Sequence, residues 1–202
     1  MGCVGPKSAI EIREGHSFLD LSVRQIEFIN TVQREQIPLI LMNSFNTDDE
    51  TTKLIQKYSG RNIEIITFNQ SKFPRIDKDI LTPIAQTPYE DKKCWYPPGH
   101  GDFFRSIEKC GLLDRLIEMG KEYLFISNID NLGATVDSKI LAHMINTKID
   151  FLMEVTGKTQ ADIKGGTLVD YKGSIRLLEV SQVPSEHLQE FRVLGTDQKA
   201  AP

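Results

Sequence analysis

The sequence predicts an α/β fold, built as a mostly parallel sheet with flanking helices and a C-terminal β-hairpin. Three observations support this. Short apolar runs alternate with helical patterns along most of the chain, the order expected of a sheet covered by helices. The run at 39–42 (Leu39, Ile40, Leu41, Met42) is continuous rather than alternating, as in a parallel strand buried on both faces. Only the segments 167–171 and 175–180 alternate apolar and polar residues around a Lys172-Gly173-Ser174 turn, the pattern of an antiparallel hairpin.

Taken in order, residues 1–15 are glycine-rich and loop-like. Ser17 is suited to cap a helix over 18–35, with Leu21, Ile26, Ile29 and Val32 near one face. Pro38 precedes the first apolar strand. Thr47-Asp48-Asp49-Glu50 starts a helix to about Tyr58, its acidic residues favoured by the N-terminal dipole. Ser59-Gly60 stops it, and 63–68 is the next strand. Residues 69–93 carry Pro74, Pro83 and Pro88 and read as a long, mostly irregular excursion, the kind of loop that is often functional. Asp102 is placed to cap a helix reaching Met119, interrupted near Gly111. Strands are then predicted at 122–127 and 151–156, with a helix at 137–146 between them.

Composition excludes several classes. The 202 residues suit one α/β domain, or one with a flap. Net charge is -4 with no basic stripe, which argues against a sequence-general nucleic-acid binder. No apolar run is long enough to span a membrane, and no charged-then-apolar leader stands at the start. Cys3, Cys94 and Cys110 form no paired spacing, which fits a reducing, cytoplasmic setting and argues against zinc.

In parallel sheets, ligands bind beyond the carboxyl ends of the strands. Asn43, Gln70 and Asp130 all fall at or past predicted strand ends, so a shared cleft is expected. Gly2-Cys3-Val4-Gly5-Pro6-Lys7 can serve as part of a phosphate loop, since glycines admit backbone N–H groups and a lysine adds a point charge. It can equally be an ordinary turn. In Trp95-Tyr96-Pro97-Pro98-Gly99-His100-Gly101-Asp102, the prolines stiffen a loop that exposes a histidine between glycines. His100 is then either a ligand contact or a solvated residue ahead of a helix. Asp130, in Ser127-Asn128-Ile129-Asp130-Asn131-Leu132-Gly133, is either a Mg²⁺ ligand or a turn cap.

Together the segments WYPPGHGD, SNIDNLGATVD and KGGTL resemble the eukaryotic UDP-glucose pyrophosphorylase family, the UTP–glucose-1-phosphate uridylyltransferases. The resemblance runs from residue 1 to about residue 192. It implies an incomplete domain of Rossmann-like, GT-A-type nucleotidyltransferase architecture, with residues 193–202 as a divergent tail. It also implies UTP, glucose 1-phosphate and UDP-glucose as ligands and Mg²⁺ as cofactor. By that resemblance Lys7 contacts the phosphates, adjacent to the metal, and Asp130 binds the Mg²⁺. Gln70 and Gly99 meet the uracil. His100 contacts the sugar phosphate, Asn128, Ile129 and Asp130 line the sugar site, and Glu154 accepts from sugar hydroxyls. The match around Gly165-Gly166-Thr167-Leu168 favours glucose over an N-acetylhexosamine.

The family signature reads Gly-Gly-x-Gly-Thr-x-Met-Gly-x-x-x-Pro-Lys, and the chain carries only its second half. The family's preceding buried strand, its second phosphate lysine and the C-terminal β-helix through which it forms homo-oligomers have no counterpart here. The expectation is therefore weak or undetectable turnover for these 202 residues alone. The alternative is a non-catalytic form that binds a sugar nucleotide or associates with the full-length enzyme.

Overall fold

The computed structural model describes residues 5–84, 87, 91–156 and 165–194. The chain divides into two compact units, Met1–Val136 and Asp137–Pro202.

The first unit opens with a small antiparallel pair, β1 (Glu11–Arg13) and β2 (His16–Ser17). Ser17 then caps α1 (Phe18–Gln33). Its hydroxyl accepts the Asp20 N–H, while the Asp20 carboxylate accepts the Ser17 N–H, a reciprocal box that satisfies two free donors of the helix start. The same carboxylate also takes the Tyr58 hydroxyl at 2.9 Å and the Lys57 ammonium at 2.8 Å. Burial by itself would raise the Asp20 carboxyl. The bonds from Lys57, Ser17 and Tyr58 outweigh it and hold the group well below the usual carboxylate range.

At the other end of α1, Arg34 turns left-handed (φ 56°) and ends the helix. Buried Asn30 then acts as a backbone mimic. Its amide donates to the Ile37 carbonyl at 3.1 Å and its oxygen accepts the Ile37 N–H at 2.8 Å. This pairing leads the chain into β3 (Leu39–Asn43). Next come α2 (Asp48–Ile55) and a 3-10 turn, Gln56–Tyr58, and the crossover returns as β4 (Ile65–Asn69), parallel to β3 with Leu39 opposite Ile65 and Asn43 opposite Asn69.

The continuous apolar run at 39–42 is explained by two cores. Leu39 and Leu41 pack into one with Leu19, Val23 and Tyr58. Ile40 and Met42 pack into the other with Ile66, Phe68, Ile107, Leu112 and Leu116. Alternate side chains of a strand point to opposite faces, so a strand covered on both sides needs every position apolar.

The excursion after β4 contains a short antiparallel pair, β5 (Phe73–Pro74) with β6 (Trp95–Tyr96), and an Ile76–Pro83 bridge. The expected single helix from Asp102 is two, α3 (Phe103–Lys109) and α4 (Leu112–Glu118), broken at Gly111 as anticipated.

Two expectations fail in this unit. Its described strands form three separate two-stranded pairs, of which only β3–β4 is parallel, rather than one mostly parallel sheet. The strand predicted at 122–127 has no ladder. Tyr123, Leu124, Phe125 and Ile126 are instead 42–52% exposed. Apolar, strand-favouring composition supplies side chains to bury, but the ladder bonds belong to a neighbour. No described strand is paired with this run.

In the second unit, Asp137 caps α5 (Ser138–Thr147) by accepting the Lys139 N–H. The strand expected at 151–156 is likewise absent, and Phe151, Met153 and Val155 are exposed. The hairpin is present as β7 (Thr167–Tyr171) with β8 (Ser174–Leu178). Its two-residue turn, Lys172-Gly173, has both φ values positive (55° and 77°), which matches the twist of the flanking strands. A short α6 (Leu188–Leu194) follows. No helix among the described residues is long and apolar enough to cross a membrane.

Candidate functional site

Four turns of the first unit hold most of the candidate site residues. The first is Gly5-Pro6-Lys7. Pro6 is buried, and its carbonyl accepts the Ala9 N–H as the chain enters a 3-10 turn, Lys7–Ala9. At Gly5 φ is 145°, a backbone region that side-chain-bearing residues rarely adopt, and an added Cβ would also meet the movable end of the exposed Glu50 side chain, 2.8 Å away. Residues 1–4, including Gly2 and Cys3, lie outside the described residues.

The second turn holds Asp130. Asn131 donates to the Asn128 carbonyl at 3.0 Å, and Gln25 of α1 donates to the Leu132 carbonyl at 3.3 Å. Ile129 packs on the core that contains Leu19. The turn is therefore anchored at both flanks, while Asp130 and Asn128 stay exposed. Asp130 does not end a strand, as the sequence suggested; it sits in this turn.

Lys7 and Asp130 meet across 123 positions of sequence, with Nζ 2.9 Å from Oδ2. Both side chains are about two-fifths exposed (42% and 40%), so the pair adds at most about 1 kcal/mol to stability. Its effect on ionisation is clearer. The Lys7 hydrogen bond holds the Asp130 carboxyl below its ordinary value, with a smaller pull from the charge of His100.

The third and fourth turns are tied to each other. Gln70 lies just past β4, and its N–H donates to the Asn43 carbonyl at the end of β3, 3.0 Å away. Its side-chain oxygen accepts the Gly99 N–H at 2.7 Å. Gly99 has φ 92° and ψ -154°, a backbone region that only glycine enters without strain. His100 follows, exposed, in the 3-10 turn His100–Asp102.

Asp102 corrects the sequence reading. Its carboxylate does not cap α3. It is buried and accepts the Ser71 N–H at 2.6 Å and the Ser106 hydroxyl at 2.5 Å. These bonds, Ser106 first and Ser71 second, lower its pKa below the ordinary value. Sequence reasoning missed Ser71 and Ser106. The spacing of Asp102 and Ser106, one helical turn apart, was the available signal.

The structure thus brings Lys7 to Asp130 and Gln70 to Gly99, and His100 directly follows Gly99. Asn43 and Gln70 do adjoin at neighbouring strand ends. Glu154 lies in the second unit, exposed. Of the Lys164–Leu168 segment, Lys164 lies outside the described residues. No group of three His, Cys, Asp or Glu side chains gathers among the described residues. The acidic donor here is one exposed carboxylate beside an ammonium. That set fits a Mg²⁺ delivered on a polyphosphate, because Mg²⁺ is commonly held by one or two carboxylates plus substrate oxygens.

The sequence matches the family described as UTP–glucose-1-phosphate uridylyltransferase over residues 1–197. The chain belongs to this family. Among uridylyltransferase relatives, that of Saccharomyces cerevisiae is 60% identical over 192 residues, covering 95% of this chain and 38% of its own length. A probable UTP–glucose-1-phosphate uridylyltransferase of Schizosaccharomyces pombe is 58% identical with the same coverage. The chain therefore spans about two-fifths of the length of these relatives. Among solved structures, the UDP-glucose phosphorylase of Trypanosoma brucei superposes with a TM-score of 0.81 at 36% identity, covering 95% of this chain and 43% of that one. A Leishmania major UDP-glucose pyrophosphorylase, described in open and closed structures, gives 0.80 at 32% identity, covering 97% and 44%.

Proposed function

We propose that this chain supplies the nucleotide-handling part of an enzyme that converts UTP and glucose 1-phosphate to UDP-glucose and pyrophosphate. The observation that carries this reading is the Lys7–Asp130 pair. It joins a glycine turn to a carboxylate turn 123 residues later, beside a second pair, Gln70 and Gly99, suited to a planar base.

In the reaction, a phosphate oxygen of glucose 1-phosphate forms a bond to the α-phosphorus of UTP. The bond from that phosphorus to the oxygen bridging the β-phosphate breaks, and its electron pair leaves with pyrophosphate. No proton-transfer pair is required, so catalysis is alignment and charge neutralisation. Lys7 would bind the phosphates once released from Asp130. Asp130 would hold Mg²⁺, which when bound offsets charge on the α-phosphate. With its side-chain oxygen on the Gly99 N–H, Gln70 would offer its side-chain NH2 to uracil, and the bare backbone at Gly99 lets the base approach closely. His100 would contact the sugar phosphate, with Asn128 and Ile129 lining the sugar side. The Rossmann-like, GT-A-type architecture belongs to this same proposal and is supported by the β3–α2–β4 crossover with ligand residues past its strand ends.

The test is pyrophosphate release by the full-length protein carrying this segment. Asp130→Asn is expected to lower kcat by about a hundredfold or more, since several kcal/mol of charge stabilisation goes with the carboxylate. An unchanged kcat at saturating Mg²⁺ would remove Asp130 from the metal role. For the chain itself, UDP-glucose is expected to raise the unfolding temperature.

A further inference from the structure

Asp102 is 7% exposed, and none of the proposed steps uses its charge. Its bonds form a closed circuit. Its Oδ2 accepts the Ser71 N–H and the Ser106 hydroxyl. Ser71 follows Gln70, whose side-chain oxygen accepts the Gly99 N–H. The N–H of Asp102 donates back to the Gly99 carbonyl at 3.2 Å. A buried carboxylate thus ties the Gln70–Ser71 turn to the glycine-histidine loop, next to the β5–β6 pair that joins the same two stretches further along.

Packing is incomplete around this tie. An open hollow of about 270 Å³ borders Asn69, Gln70, Ser71 and Ser106, so one side of the Gln70 turn faces solvent. On that side the turn keeps its place through hydrogen bonds. Charge-assisted bonds are roughly twice as strong as neutral ones, which accounts for a carboxylate rather than an amide at this position. Ser106, on the rigid α3, fixes which way the carboxylate faces.

We propose that Asp102 is a positioning residue: by holding Ser71 it keeps Gln70 on the Gly99 amide and so sets the nucleobase selectivity of the site. The selectivity part rests on the uridylyl reading above; the hold on Gly99 does not.

The experiment pairs two measurements on the full chain. Amide hydrogen exchange is followed at Ser71 and Gly99, and dissociation constants are measured for UDP-glucose, ADP-glucose and glucose 1-phosphate. Asp102→Asn keeps the shape and removes the charge. It is expected to speed exchange at both amides by about tenfold and to narrow the preference for UDP-glucose over ADP-glucose by about tenfold, as for loss of a bond to a charged group. Binding of glucose 1-phosphate is expected to stay within about twofold. Ser106→Ala, a smaller change less able to unfold the chain, is expected to shift both readouts in the same direction by a smaller factor.

Unaltered exchange at Gly99 in both variants would overturn the proposal. So would a parallel loss of affinity for all three ligands, the mark of general destabilisation. If the unsubstituted chain binds no UDP-glucose, the uridylyl reading fails, while the exchange measurement still decides whether Asp102 holds Gly99.

Discussion

The β3–β4 pair and the run at 123–126 are made of the same kinds of residue and behave in opposite ways. Leu41, Ile66 and Phe68 are buried at 9% exposure or less, with a ladder on one edge and side chains gripped from both faces. Tyr123, Leu124, Phe125 and Ile126 are half-exposed and have no ladder. Apolar content therefore does not separate the two regions. What differs is the presence of a partner strand at the right register and helices to cover the faces. A strand is a relation between segments.

The sharpest test of this contrast is amide exchange. Protection at β3 and β4 is expected to exceed that at 123–126 by a factor on the order of a thousand, the span between core ladders and locally open segments. Equal protection would mean that the run at 123–126 finds a partner in solution. Next in size is Leu116→Ala. Leu116 is 2% exposed in the core beneath β4, and its truncation is expected to cost about 2–5 kcal/mol in denaturant unfolding.

Asp20→Asn probes the polar tie that seats α1. The folded carboxyl lies below its unfolded value, so its contribution is complete above about pH 4 and is lost as pH falls through the folded value. At pH 7 the substitution is expected to cost about 1–3 kcal/mol, the range for bonds to a charged group. The variant should also lose less stability than the parent on acidification below pH 4. A curve parallel to the parent's would assign acid sensitivity to other groups. The smallest effect is expected at Phe125→Ser, within about 0.5 kcal/mol, as for a surface change. A cost near that of Leu116→Ala would erase the distinction between the two regions.

These contrasts also show what the sequence could reveal. Local rules worked where the deciding atoms are close in sequence. Ser17 announced a helix start, Gly111 a break, and Lys172-Gly173-Ser174 a hairpin turn. The continuous run at 39–42 announced a strand covered on both faces. Local rules failed at 122–127 and 151–156, where composition suggested strands and pairing was not available to read. The candidate site was legible by likeness of motif, residue by residue, but its wiring was not. Nothing in a linear reading says that Lys7 reaches Asp130, or that Gln70 accepts from Gly99. Asp102 was misassigned for the same reason: an aspartate before a helix looks like a cap, and only the fold shows the Ser71 N–H beside it.

One feature of the first core bears on how the chain is made. Every member of the cluster around Leu19, Val23, Leu41 and Tyr58, apart from Ile129, lies between Leu19 and Ile65. The Asp20–Tyr58 bond closes the same stretch. A ribosome releasing the chain from its N-terminus therefore delivers this core nearly whole before Ile107, Leu112 and Leu116 of the other core have been synthesised. Early assembly can begin from α1, β3, α2 and β4 alone. Ile129 docks last, carrying Asp130 toward Lys7, which precedes this core in the chain.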